Sequence, residues 1–280
     1  MQHDHEHDDP AALADLLDLD GEALHTYWTQ AMICVRGASN HAERVLDLGA
    51  GTGVATIALA QRFRDAQVLA VDVSDDMLEA VRAKALDLGL AHRVHTVCAD
   101  LDDGWPVAGP VDVTWASMSL HHLADPDRVL GDVFTATRTG GLVAVAEFSD
   151  PLRFLPDDLE GLEECILDVL RAQHSAELPH LGADWSARLS AAGFTVIGER
   201  VFSIDLKPPL SPAATRYACR WFARLRTGVA PKLADDDRDA LDRLLDDDEP
   251  GSLRSRDDLH LRGTRTLTLA RRPAHPPHGG

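Results

Sequence analysis

At 280 residues, 45% apolar and 26% charged, the chain has ordinary globular composition and enough material for one sizeable α/β core with helical additions. Acids outnumber bases 46 to 27, leaving a formal charge of -19; nucleic acid or an anionic membrane surface needs the opposite balance, so a small molecule is the expected partner. The four cysteines are scattered without a C-x-x-C pair, and neither a signal peptide nor an apolar run of about 18 residues is read, so a cytoplasmic location is expected.

Met1 to Pro10 is a His/Asp-rich tail that composition marks as disordered. From Ala11 to about Val35, Leu13, Leu16, Leu17, Leu24, Tyr27, Trp28 and Met32 recur at helical spacing. That spacing predicts two helices broken near Asp20-Gly21. Residues 11–40 then form a helical cap, with Gly37 to His41 as a linker.

A β/α alternation follows. Val45–Leu48 reads as a short buried strand, Gly51–Phe63 as a helix, Gln67–Val71 as a second strand, and Asp75–Leu88 as a helix closed by Gly89. Val94–Cys98 and Val111–Ala116 are the next strands. Pro126–Arg138 is a helix ending at Gly140-Gly141, and Leu142–Phe148 is the fifth strand. Strands alternating with helices of this length predict a parallel, doubly wound sheet.

Beyond Pro151 the spacing predicts amphipathic helices at Asp157–His174 and Trp185–Ala192, a long strand at Phe194–Leu206 and a last strand at Thr264–Ala270. Residues 212–258 read as a helical, acidic insertion with Tyr217, Trp221, Phe222 and Leu225 on one stripe. A Rossmann-like domain is expected over 41–272, followed by a loose Pro/Gly/His tail at 273–280.

The first strand runs into Gly49-Ala50-Gly51-Thr52-Gly53, a turn that lets a nucleotide approach the backbone. In the dinucleotide fingerprint G-x-G-x-x-G the third glycine falls one residue later, where this chain has Val54. No Gly-Lys-Ser/Thr follows, which excludes a P-loop. Asp47, just before the turn, disfavours a pyrophosphate but suits an ammonium or sulfonium. Asp72 ends strand two about 20 residues past the loop, where a carboxylate takes ribose hydroxyls. Asp100 follows strand three and is placed to accept from an adenine amine. Any one of these acids is as readily a cap or a solvated turn. As an ordered set at successive strand ends, they describe a cationic adenosyl ligand.

These segments resemble the successive motifs of class I S-adenosylmethionine-dependent methyltransferases: Val45–Gly53, Ala70-Val71-Asp72-Val73-Ser74, Cys98-Ala99-Asp100-Leu101 and Gly140–Glu147. The resemblance covers roughly residues 40–150. Ser119-Leu120-His121-His122-Leu123 and Ala146–Pro151 are further similar to the quinone-biosynthesis branch and its small-molecule relatives.

The resemblance implies S-adenosylmethionine as cofactor and S-adenosylhomocysteine as product. Asp47 and the backbone of Gly49, Ala50, Gly51 and Gly53 would hold the methionine end, and Asp72 the ribose. Asp100 and Leu101 would flank the adenine, and Ser117 would lie near the amino-acid moiety; Val73 and Met77 complete the cofactor-binding set. It also implies a seven-stranded sheet whose last strand is antiparallel. The 212–258 insertion departs from the pattern.

Methyl transfer is an in-line displacement, so the enzyme mainly supplies alignment, and a base is needed only where the acceptor must lose a proton. His121 and His122 follow strand four and are candidate bases; the plainer reading packs one of them under the next helix, and the sequence does not choose between the two. Glu147 would orient an acceptor, or serve as a structural hydrogen-bond partner. Tyr27, Trp28, Trp221 and Phe222 would wall the acceptor pocket, or are plain core.

His3, His5 and His7 form a terminal tract read as adventitious, and Asp235–Asp237 and Asp246–Glu249 as the ends of a solvated helix, so no metal is expected. The leading expectation is an enzyme methylating an O, N or C atom of a small acceptor, as monomer or homodimer. Competing readings are a non-catalytic S-adenosylmethionine-binding protein and a nicotinamide oxidoreductase. A nucleic-acid or protein methyltransferase conflicts with the charge and lacks an Asn/Asp-Pro-Pro-Tyr/Phe motif.

Overall fold

The computed structural model describes residues 10–39, 41–148 and 150–274. The His3/His5/His7 tract, most of the acidic N-terminal tail and residues 275–280 lie outside the described residues.

Seven strands form one sheet: β1 (Arg44–Leu48), β2 (Gln67–Asp72), β3 (Val94–Cys98), β4 (Val111–Ser117), β5 (Thr137–Glu147), β6 (Thr195–Leu206) and β7 (Leu261–Arg271), in the order β3-β2-β1-β4-β5-β7-β6. β1 pairs in parallel with β2 and β4, β2 with β3, and β4 with β5, whereas β7 runs antiparallel to β5. This is the expected doubly wound sheet with an antiparallel last strand. Its central strands are buried on both faces: Leu46, Val113, Trp115 and Leu142 are fully enclosed, as continuous apolar runs in a covered parallel sheet require.

The chain divides into two units, one built on the sheet and one helical. The sheet unit comprises residues 26–149, 180–202 and 265–280. It includes α2 (His25–Ala38, from Thr26 on), α3 (Val54–Arg62), α4 (Asp75–Asp87), α5 (Pro126–Ala136) and α7 (Trp185–Ala191). Local chemistry starts three of these. The Ser74 hydroxyl accepts from Met77 N at 3.4 Å, Asp125 from Arg128 N at 3.0 Å with Pro126 in the first turn, and Asp184 from Ala187 N at 2.9 Å.

The helical unit comprises residues 1–25, 150–179 and 203–264, with α1 (Pro10–Ala23), α6 (Glu160–Glu177), α8 (Pro212–Val229) and α9 (Asp235–Leu245). Phe154 is its aromatic hub, with ring centroids 5.6 Å from Tyr217, 5.9 Å from Phe222 and 6.2 Å from Trp221. Glu163, 1% exposed, accepts from Phe154 N at 2.6 Å and Leu155 N at 3.0 Å, and burial pushes its carboxyl above the usual range. α8 packs on α1 through Arg216–Glu22 and Arg220–Asp15 pairs.

Several expected boundaries move. The N-terminal helices break at Leu24, not Asp20-Gly21, because Asp20 is a buried helical residue accepting from Tyr217 Oη at 2.9 Å. Gly37 and Ala38, expected in a linker, still belong to α2. α3 begins at Val54 rather than Gly51, since Gly51 and Gly53 have φ of 50° and 86° and cannot continue a helix. β5 begins at Thr137, five residues early, because the strand bulges between the pairs Val111↔Thr137 and Val113↔Leu142 at Gly140-Gly141. α6 starts at Glu160 after a 3-10 turn, and β7 starts at Leu261 rather than Thr264. The 212–258 segment is helical only to Leu245; turns lead from there toward β7, so Asp246–Glu249 follows α9.

Candidate active site

The strand order reverses between β1 and β4, which opens a crevice at the carboxyl edge of the sheet unit where ligands of such sheets bind. The glycine loop leaves β1 there. Gly49 N and Ala50 N both donate to Val71 O, at 2.9 and 3.0 Å, and Gly51 N donates to Asp72 Oδ2 at 2.8 Å. Gly49 has φ of 68°, and a Cβ placed on it would lie 2.3 Å from Ser119 Cβ. Ser119 Oγ in turn donates to Leu48 O at 2.8 Å, locking the loop after β4 against β1. Lys84 Nζ reaches from α4 to Thr52 O at 2.8 Å. Thr56 and Lys84 were not singled out from sequence, and Ser119 was read only as part of the Ser119–Leu123 segment.

The expected acids differ in setting. Asp47 is 1% exposed and accepts from Thr56 Oγ1 at 2.6 Å. Burial pushes its carboxyl up to about 7, against the opposing pull of the Thr56 hydroxyl. Asp72 lies on β2 beside the loop, where Oδ2 takes Gly51 N and Oδ1 takes Ser74 N at 2.9 Å. It therefore splints the loop to the start of α4 and keeps lone pairs for a ligand. Val73 beside it is exposed, whereas Met77 is buried. Asp100 is exposed past β3 and accepts from Asp102 N at 2.8 Å, a local turn contact. Leu101 is buried, and its carbonyl accepts from the Arg128 guanidinium. Asp102, missed in sequence, ties this turn to the approach of α5 by accepting from Ala124 N at 2.9 Å and Asp125 N at 3.3 Å.

β4 ends in Ser117, whose buried Oγ has no hydrogen-bond partner among the described residues. Met118 follows with φ of 52°, a left-handed conformation costly for a side-chain-bearing residue. One turn further, His121 Nδ1 lies 2.6 Å from Glu147 Oε2, with the side chains 3% and 5% exposed. Glu147 Oε1 accepts from Leu120 N at 3.2 Å. His122 is exposed, its ring 4.2 Å from that of His121. The two histidines thus separate into a buried, carboxylate-held ring and an exposed one.

Of the aromatics, Tyr27 and Trp28 come together on α2. Tyr27 is buried with its ring 5.4 Å from both Trp28 and Phe202, and the Arg265 guanidinium lies 4.9 Å from its centroid. Trp28 meets Trp115 of β4 at 6.3 Å. Trp221 belongs to the helical unit, against Phe154.

This sheet order, with a glycine loop at the reversal and acids at the ends of β1 and β2, is the arrangement expected of a class I S-adenosylmethionine-dependent methyltransferase domain. Residues 45–141 match the family described as "Methyltransferase domain". The chain is 33% identical over 156 residues to a malonyl-[acyl-carrier protein] O-methyltransferase of Laribacter hongkongensis, covering 54% of this chain and 50% of that protein. It is also 33% identical over 144 residues to a ubiquinone/menaquinone biosynthesis C-methyltransferase of Vibrio campbellii, covering 51% and 55%. The chain thus matches about half the length of these curated relatives. A crystal structure of a methyltransferase of unassigned substrate from Bacillus halodurans superposes with a TM-score of 0.57 at 17% identity, covering 88% of this chain and 99% of that one, which shows the shared fold. The cofactor of this domain class is S-adenosylmethionine.

Proposed function

We propose that the chain transfers a methyl group from S-adenosylmethionine to an O, N or C nucleophile of a small organic molecule by in-line displacement. The carrying observation is the buried His121–Glu147 pair beside the glycine loop and the orphaned Ser117 hydroxyl.

The residues fit the cofactor. The Gly49, Ala50, Gly51 and Gly53 backbone with Asp47 and Ser117 would receive its amino-acid end, Asp72 and Val73 the ribose, and Met77, Asp100 and Leu101 the adenine. When bound, S-adenosylmethionine supplies a methyl group on a sulfonium, an already activated leaving group. Glu147, an acceptor when ionised, receives the N–H at His121 Nδ1, which leaves Nε2 as the basic nitrogen of a neutral imidazole. His121 Nε2 would take the proton that the acceptor gives up on methylation. Where the acceptor needs no deprotonation, the pair only orients it, and His122 is the exposed alternative. Tyr27 and Trp28 are candidate walls for the acceptor.

The same reading places the protein in the cytoplasm as a monomer or homodimer, with a small-molecule acceptor and neither nucleic acid nor membrane as partner. The -19 charge supports this, and among the described residues no helix is long and apolar enough to cross a membrane. It treats the Rossmann-like region as the catalytic domain and residues 212–258 as an insertion.

Calorimetry with S-adenosylhomocysteine and with NAD tests the proposal. Saturable S-adenosylhomocysteine binding without NAD binding is the expected result, and tight NAD binding alone would sink it.

A further inference from the structure

Ser119 opens the 3-10 turn Leu120–His122, wholly within the sheet unit. A serine in that place ordinarily turns its hydroxyl onto an N–H of the turn it begins. Here it makes no such cap and donates away from the turn, to Leu48 O at 2.8 Å. The turn is closed by its own backbone, His122 N to Ser119 O at 3.2 Å, and its first N–H, from Leu120, goes to Glu147 Oε1. The hydroxyl is thus committed to a neighbouring strand rather than to its own turn.

The contact has a steric half as well. Gly49 carries no Cβ, and Ser119 Cβ fills that space, 2.3 Å from where a Gly49 Cβ would lie. One residue therefore touches the last carbonyl of β1 and the first glycine of the loop. The two residues after it both engage Glu147, Leu120 through its N–H at 3.2 Å and His121 through Nδ1 at 2.6 Å. Three consecutive residues link the glycine loop to the buried pair.

Met118 shows that this path is imposed. Its φ of 52° is one that a side-chain-bearing residue keeps only where its surroundings hold it. Met118 N donates to Ala146 O at 2.9 Å, and the next residue is pinned to Leu48 and Gly49. Without the Ser119 anchor the strained backbone can relax, and His121 moves with it.

We infer that Ser119 is a positioning residue for methyl transfer. It acts through the Leu120–His121 turn to hold the His121–Glu147 pair in register with the glycine loop, and so the base with the methyl donor. Alignment of that kind is worth protecting, since a misplacement of about 1 Å can cost about 10²-fold in rate. The inference rests on the methyl-transfer reading.

The readout is the imidazole ¹H–¹⁵N correlation of His121, which reports which ring nitrogen carries the proton, assigned among the 14 histidines by His121→Gln. It is recorded on the full chain with and without saturating S-adenosylhomocysteine, whose binding is followed by calorimetry. Wild type should show one neutral tautomer, protonated at Nδ1. Ser119→Ala keeps the Cβ and drops the donor, and Ser119→Gly drops both. The Nδ1-protonated fraction should fall by at least a third in the first and by at least half in the second. Ser119→Cys, with a similar shape and a weaker donor, should lie between wild type and Ser119→Ala. Gly49→Ala presses on Ser119 from the cofactor side and should disturb the ring as Ser119→Gly does.

Wild-type His121 signals in Ser119→Ala and Ser119→Gly, with only the melting temperature lowered, would make Ser119 structural and overturn the inference. A mixed tautomer in wild type would overturn it too. If Ser119→Gly does not fold, Ser119→Ala and Ser119→Cys decide. A single held tautomer in wild-type protein that does not bind S-adenosylhomocysteine overturns the methyl-transfer reading instead, and the positioning role with it.

Discussion

His121 and Glu147 form a buried pair across the ends of β4 and β5, Nδ1 to Oε2 at 2.6 Å, and Glu147 fixes the same turn a second time through Leu120 N. One carboxylate thereby sets both the backbone path and the ring orientation. Glu147→Gln keeps the volume and can still accept from Leu120 N, but its amide N–H meets Nδ1 and favours the tautomer with the proton on Nε2. We expect a kcat lowered about 10²–10⁴-fold for an acceptor that must lose a proton, the usual range for a positioned base. S-adenosylhomocysteine affinity should stay within threefold. His121→Ala should match the loss, and full turnover in both variants would assign the pair to structure only.

Asp47 makes the stability of the ligand-free protein pH dependent. Its carboxyl is raised from 3.8 to about 7, chiefly by burial. The folded state thus favours the protonated form: the contribution is fully present below the unfolded value and is lost as pH rises through the folded one. Asp47→Asn removes this titration while keeping an acceptor for Thr56. The melting temperature of Asp47→Asn should therefore gain on wild type as pH goes from 4 to 8. A difference constant across that window would mean that Asp47 ionises freely.

Gly49→Ala combines two penalties. The left-handed φ of 68° costs a side-chain-bearing residue about 1–2 kcal/mol, and the new Cβ would sit 2.3 Å from Ser119 Cβ. Relief requires the loop after β4 to move, and that loop leads to His121. We expect a melting temperature lower by several degrees and S-adenosylhomocysteine affinity reduced at least tenfold. Gly53→Ala shares the left-handed strain, at φ of 86°, but its new Cβ would stop 2.9 Å from Val81 Cγ2 rather than 2.3 Å, and it should lose less. Chemical denaturation of both variants checks the ranking; equal losses would refute it.

The sheet was legible because short, mainly apolar runs such as Val45–Leu48 and Val111–Ala116 alternate with segments of helical spacing, the pattern of covered parallel strands. Boundaries failed where glycine changed the backbone: Gly51 and Gly53 delay α3, and Gly140-Gly141 hides the first half of β5 inside a bulge. Asp20 was misread because its partner, Tyr217, is 197 residues away. In the site, the acids were visible as strand-end carboxylates. Thr56, which donates to Asp47, and Ser119 and Lys84, which donate to the carbonyls of Leu48 and Thr52, were not, since each is chosen by packing between elements rather than by spacing. The open pairing of His121 and His122 resolved only once β5 brought Glu147 to one of them.

Asp72 separates two roles that one substitution would merge. Its carboxylate accepts from Gly51 N and Ser74 N, so Asp72→Ala removes both the loop splint and the proposed ribose contact. Asp72→Asn retains one acceptor oxygen and only a single orientation that serves either N–H. If the carboxylate also binds the ribose hydroxyls, Asp72→Ala should weaken S-adenosylhomocysteine at least tenfold and Asp72→Asn nearly as much, because an amide nitrogen cannot accept from a hydroxyl. If it serves the loop alone, Asn should recover most of the affinity. Titrating 2′,3′-dideoxy-S-adenosylhomocysteine alongside distinguishes the two. Wild type should discriminate against the dideoxy ligand at least tenfold, and Asp72→Ala should bind both ligands alike. Continued discrimination in Asp72→Ala would place the ribose contact elsewhere.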